Sequence, residues 1–158
     1  MFKKVIWATD GFDHADRAMT TAVQVAQNDG AELHVVHIVE KLISRRAAGM
    51  NVFANEDEIE EKVERQAKTI ADESGVKTSI YVVAGLGNRI GDRIADIADD
   101  AGADLIVVGT RGHGALGSLA LGSVTQRLLQ VAHCPVLAVP PTAAAVTDAT
   151  PESALNAG

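Results

Sequence analysis

ADLIVVGTRGHGALGSLALGSVTQRLLQVAHCPVLAV, residues 103–139, decides the fold. Its order is an apolar run closed by glycine (Leu105–Gly109), a glycine-rich segment, a run with helical periodicity (Ser123–His133), and a short apolar run between prolines (Val136–Val139). The two apolar runs are too short for buried helices and rich in valine, so they predict strands. Between them, Val124, Leu128, Leu129, Val131 and Ala132 supply an apolar helical face. Strand, crossover helix and strand in this order make a parallel pair joined right-handedly.

The same alternation runs through the rest of the chain. Val5–Thr9 predicts a first strand, and Asp13 caps a helix with Ala15, Ala18, Met19, Ala22 and Ala26 at three- and four-residue spacing. Glu32–Val39 predicts a second strand. After a polar stretch, Asn55, with Glu58 three residues on, caps a charged helix with Ile59, Val63, Ala67, Ile70 and Ala71 inward. Lys77–Ala84 predicts a third strand, and Asn88 opens a helix with Ile90, Ile94, Ile97, Ala98 and Ala101 on one face. The fold class is therefore α/β: one doubly wound, Rossmann-like domain with a five-stranded parallel sheet, order 3-2-1-4-5, and helices on both faces. The domain is expected over 1–140, with 141–158, which lacks periodicity, expected to be a disordered tail. In such sheets ligands sit beyond the carboxyl ends of the strands, where strand order reverses. Here that point lies between the first and fourth strands, flanked by Ala8–Asp13 and the glycine-rich segment.

Composition narrows the function. The net charge of −7 opposes binding to nucleic acid or anionic membrane, and 3% aromatic residues argue against a stacking platform for single strands. No apolar stretch reaches the roughly 18 residues of a membrane span. No secretory leader follows the first methionine, and Cys134 alone cannot form an internal disulfide, so the cytoplasm is the expected compartment.

Residues 109–125 hold five of the chain's 14 glycines. Glycine at such density suits close approach of a ligand to the main chain. Gly112–Gly117 fits the dinucleotide pattern G-x-G-x-x-G, but it follows the fourth strand, and no Asp or Glu occurs from Leu105 to Thr147 to hold a ribose. A P-loop is excluded because the chain contains no Gly-Lys pair. The remaining pattern is G-x2-G-x9-G-[ST], carried by Gly109, Gly112, Gly122 and Ser123. It places amides and a hydroxyl at a helix N-terminus, which suits a phosphate chain. Arg111 and Arg127 make this acid-free segment cationic within an anionic protein. A plain surface loop closed by an N-cap serine is the competing explanation.

At these residues the chain resembles the ATP-binding branch of the universal stress protein family. VIWATDG (5–11) is similar to that family's first strand and Asp-Gly, and residues 103–139 are similar to its most diagnostic block. The resemblance spans residues 2–139 and implies that Ala8 and Asp10 flank an adenine nucleotide and that the main chain of Ile38 meets the adenine edge. It implies that Gly109 and Gly112 approach ribose and phosphates, and that Gly122, Ser123 and Val124 hold the distal phosphates. Thr110, Arg111, His113 and Gly114 complete the candidate set; Arg111 and His113 read equally as solvated loop residues. The implied ligands are ATP (or ADP or AMP) and Mg²⁺ held through the phosphates near Asp10. Two positions depart from the pattern: Phe12 replaces a common serine, and Arg89 a common proline.

The resemblance also implies a homodimer paired through the fifth strand, Val136–Val139, which the proposed order leaves as an edge. The expected function is nucleotide sensing or sequestering in stress regulation, acting on a regulatory protein partner, with little or no turnover. The alternatives are a slow ATPase or nucleotide-using enzyme of the same architecture, and a nucleotide-independent dimeric scaffold. No catalytic relay or carboxylate pair can be assembled from the sequence. His34 and His37 fall on opposite faces of a strand and do not chelate. Trp7 and Cys134 read as core.

Overall fold

The computed structural model describes residues 1–11, 16–40, 56–85, 89–110 and 121–141. Five strands and four helices alternate: β1 (Lys4–Thr9), α1 (Asp16–Asp29), β2 (Glu32–Glu40), α2 (Glu56–Ser74), β3 (Thr78–Gly85), α3 (Ile90–Ala101), β4 (Leu105–Gly109), α4 (Ser123–Val131) and β5 (Val136–Val139). The sheet is parallel throughout, in the order β3-β2-β1-β4-β5. The strand order reverses between β1 and β4, where Ala8 lies opposite Val108.

Period-two alternation divides the sheet into two cores. Val5, Trp7, Leu33, Val35, Leu105 and Val107 face α1 and α2, meeting Ala18, Ala22, Ala26, Val63, Ala67 and Ile70. Ile6, Ala8, Val36, Ile106 and Val108 face α3 and α4, meeting Ile90, Ile94, Ala98 and Leu128. Small alanines on α1 let that helix lie close on the centre of the sheet. Trp7 is completely buried beneath it, its indole Nε1 finding no hydrogen-bond partner among the described residues.

The amino ends of the strands are tied by carboxylates. One Asp104 oxygen accepts the Lys3 and Lys4 amides at 2.6 and 3.0 Å, and Asp29 accepts the Phe2 amide at 2.7 Å. These hydrogen bonds hold both carboxyls below the usual range.

The α4 face differs from the expectation. The helix stops at Val131, and Thr125 and Leu128 are its buried residues, whereas Leu129 is 52% exposed. Lying over the edge strand β5 and packed mainly on α3, this helix has a narrow covered face, too narrow for every apolar side chain. Cys134 is half-buried rather than enclosed, with its thiol pushed up by desolvation. The cap residues Asp13, Asn55 and Asn88, the position Phe12 and the tail from 142 onward lie outside the described residues. Arg89 is the N-cap of α3 and makes no side-chain cap hydrogen bond.

Candidate functional site

Three adjacent strands, β2, β1 and β4, end on one rim of the sheet. Asp10 follows β1 directly, Ile38 lies near the end of β2, and Gly109 ends β4 with Thr110 beyond it. Ala8 is buried in the β1 ladder between Val36 and Val108. Gly122, Ser123 and Val124 open α4. Arg111, Gly112, His113 and Gly114 lie outside the described residues. The described members of the candidate set therefore stand at the carboxyl ends of β1, β2 and β4 and at the start of α4, with Ile38 on β2, one strand away from the reversal between β1 and β4.

The β1 rim is shaped by Gly11, which has φ +80° and donates its amide to Thr9 Oγ1 at 3.1 Å. A Cβ there would lie 2.5 Å from Ile59 Cγ2, 3.2 Å from His37 Cε1 and 3.3 Å from Val63 Cγ2. The turn is thus folded onto the His37 ring and the first turns of α2, and Asp10 is carried on it. His37 is 1% exposed, and its Nδ1 has no hydrogen-bond partner among the described residues. Burial holds the imidazole below its ordinary pKa of 6.5, against the opposing pull of the Thr9 main chain and of Glu60 and Asp10.

The β4 rim is closed by hydrogen bonds that hold the two ends of the glycine-rich segment together. Gly122 donates its amide to the Thr110 carbonyl at 2.8 Å, and Thr110 donates to the Val139 carbonyl at 2.9 Å. The Thr125 hydroxyl donates to the Gly109 carbonyl at 2.8 Å. Because the Gly122 amide is engaged, the donors this turn can direct outward are those of Ser123 and Val124. Neither has an acceptor one turn back within α4, since the helix begins there. No acidic residue stands in the first turn of α4, so the positive end of its dipole is not cancelled locally.

Arg127 does not contribute its charge to this rim. Its Nε and Nη2 both reach one Asp92 oxygen, at 3.0 and 2.7 Å, clamping α4 to α3 and holding the Asp92 carboxyl below its usual range. Of the two arginines that make the segment cationic, Arg127 is thus engaged on α3, and Arg111 lies outside the described residues. Apolar spacing does not single out Thr125, because its functional group is a hydroxyl. Its only signal is a polar residue on the helix face shared with Leu128.

A groove of about 380 Å³ runs between α3 and α4, lined by Asp92, Asp96, Asp99 and His133. All its lining comes from those helices and the residues just after α4, not from the strand ends, and His133 is already paired with Asp99 at 2.8 Å. It is separate from the rim. Among the described residues, no group of three or more His, Cys, Asp or Glu could hold a metal ion. Nor is any helix there long and apolar enough to cross a membrane.

Comparison with known proteins gives the same picture over almost the whole chain. The model of the universal stress protein family matches residues 1–140. A universal stress protein of Thermus aquaticus, encoded in a QAH/OAS sulfhydrylase 3' region, is 41% identical over 142 residues, covering 88% of this chain and 99% of its own. The solved structure of MJ0577, a Methanocaldococcus jannaschii universal stress protein, superposes with a TM-score of 0.69 at 26% identity, covering 90% of this chain and 98% of its own. A universal stress protein solved in complex with cAMP superposes with a TM-score of 0.63 at 27% identity, covering 87% of this chain and 96% of its own.

Proposed function

This chain belongs to the universal stress protein family, and from that we propose that it binds an adenine nucleotide, ATP with Mg²⁺ foremost, at the rim between β1 and β4. The observation that carries the proposal is the convergence of Asp10, Gly109 and the amides opening α4 on the point of strand-order reversal. The nucleotide complex of a relative at 27% identity supports it. The adenine lies against the main chain of Ile38, ribose and phosphates pass Gly109 and Gly112, and Ser123 and Val124 take the distal phosphates. Mg²⁺ is held through the phosphates.

The protein senses or sequesters nucleotide in the cytoplasm and regulates a protein partner. It turns ATP over slowly or not at all, because phosphoryl transfer needs a residue that positions the attacking water, and the candidate set offers none. Two copies pair through β5.

Calorimetric titration of nucleotide-free protein with Mg·ATP, AMP and cyclic AMP tests the reading. Saturable binding of one nucleotide per chain is expected, weakened in Gly112→Ala, with negligible phosphate release over hours. Absence of binding by all three ligands would leave a nucleotide-independent scaffold, and steady phosphate release abolished by Gly112→Ala would mark an ATPase.

A further inference from the structure

The carboxyl end of a parallel strand presents carbonyl oxygens, which repel an anion. A phosphate site built there must first dispose of them. On this rim the protein's own donors take them up. The Gly109 carbonyl accepts from the Thr125 hydroxyl, and the Thr110 carbonyl accepts from the Gly122 amide. The Val139 carbonyl accepts from Thr110, and the Leu121 carbonyl from Gln126 Nε2 at 2.8 Å. Three of these four bonds use main-chain amides or an exposed side chain. The fourth is the work of one side chain, Thr125, which is 2% exposed and stands in the first turn of α4.

We propose that Thr125 determines the rim's preference for a phosphate-bearing ligand, by occupying the Gly109 carbonyl and fixing the first turn of α4 against the end of β4. This rests on the nucleotide reading above. The hydroxyl is a positioning group and touches no ligand. Two consequences follow from its single bond. The Gly109 carbonyl is turned onto a buried donor, and the Ser123 and Val124 amides are held at a fixed offset from Gly109. A side chain of the same shape without the hydroxyl frees that oxygen and loosens the offset. The nucleoside part of the ligand is little affected: its adenine lies toward β2, and the ribose passing Gly109 carries no charge for that carbonyl to repel.

The test compares Mg·ATP with adenosine, binding each to the wild type, Thr125→Val and Thr125→Ser by equilibrium dialysis, with circular dichroism to confirm folding. Thr125→Val is expected to weaken Mg·ATP about tenfold while adenosine stays within about twofold, the spread of a single neutral contact. Thr125→Ser, which keeps the donor, is expected to retain the wild-type ratio of the two affinities. Thr125→Ala makes the same comparison should valine disturb the fold. The inference is overturned if the variants lacking the hydroxyl bind Mg·ATP as the wild type does, or lose Mg·ATP and adenosine in equal proportion. A wild type that binds neither probe overturns the nucleotide reading instead.

Discussion

Gly11 is held by two independent constraints. Its φ of +80° strains any L side chain, and a Cβ would stand 2.5 Å from Ile59 Cγ2. Gly11→Ala is therefore expected to destabilise the fold by about 2–4 kcal/mol, combining backbone strain with overpacking, and to lower Tm on the order of 10 °C. Thermal unfolding measures this, and a change of a degree or less would mean that the turn relaxes away from α2. Asp-Gly is a frequent turn dipeptide, so a bend after β1 accords with the residues themselves. What the glycine packs against was not legible there, because Ile59 and Val63 reach it from α2, about 50 residues away in the chain. Thr125 shows the same limit: its hydrogen bond depends on where β4 ends relative to α4, which no local pattern encodes.

At the scale of elements, β2 carries two buried histidines to opposite faces. His37 faces α2, while His34 lies against Tyr81 of β3, ring centroids 5.5 Å apart and nearly parallel. Desolvation holds both imidazoles below 6.5. Glu32 opposes this at His34, and Lys4 and Lys77 reinforce it; Glu60 and Asp10 oppose it at His37. Both rings are thus neutral in the folded protein at pH values where an unfolded chain would protonate them. Above the ordinary value of 6.5 they have no pH-dependent effect on stability, and as the pH falls below it the unfolded state gains protons first and stability is lost. Tm is expected to fall by several degrees between about pH 7.5 and about pH 5.5, and to fall less in the double variant His34→Gln, His37→Gln. An equal fall in both proteins would assign the effect to other groups.

The α3–α4 contact allows a second prediction at this scale. Helical glycine replaced by alanine gains about 1 kcal/mol from propensity alone. At Gly91, however, a Cβ would meet Arg127 Cβ and Cγ at 2.7 Å and the Val124 carbonyl oxygen at 3.2 Å. Arg127 Cβ is fixed to its backbone and cannot swing aside, so the helices must part. Gly91→Ala is expected to cost about 1–2 kcal/mol net, read by chemical denaturation, and a stabilised variant would contradict the packing. The Asp92–Arg127 pair across the same contact is more than one-third exposed on each side, so solvent screens it and it adds little to the packing.

For the whole molecule, the sheet has the expected order 3-2-1-4-5, and its parallel strands with helices on both faces could be read from the alternation of apolar runs with helical patterns. Which side chains of α4 would be covered could not. That depends on its place over the sheet's edge, where Leu129 and Leu137 stay 52% and 39% exposed. If two copies pair through β5, these side chains lie at or beside the contact. Leu137→Lys is then expected to convert a dimer into a monomer in sedimentation analysis, without lowering helix content. A wild type that sediments as a monomer would remove β5 pairing from the account.

The most direct measurement is a titration of the ¹⁵N-labelled protein with Mg·ATP, followed amide by amide in solution. The account predicts saturable shifts at Asp10, Gly109, Ser123 and Val124, with α2 beyond its first turns and the amino ends of the strands unmoved. Saturable shifts centred on the α3–α4 groove, or no saturable shift at these four amides, would contradict it.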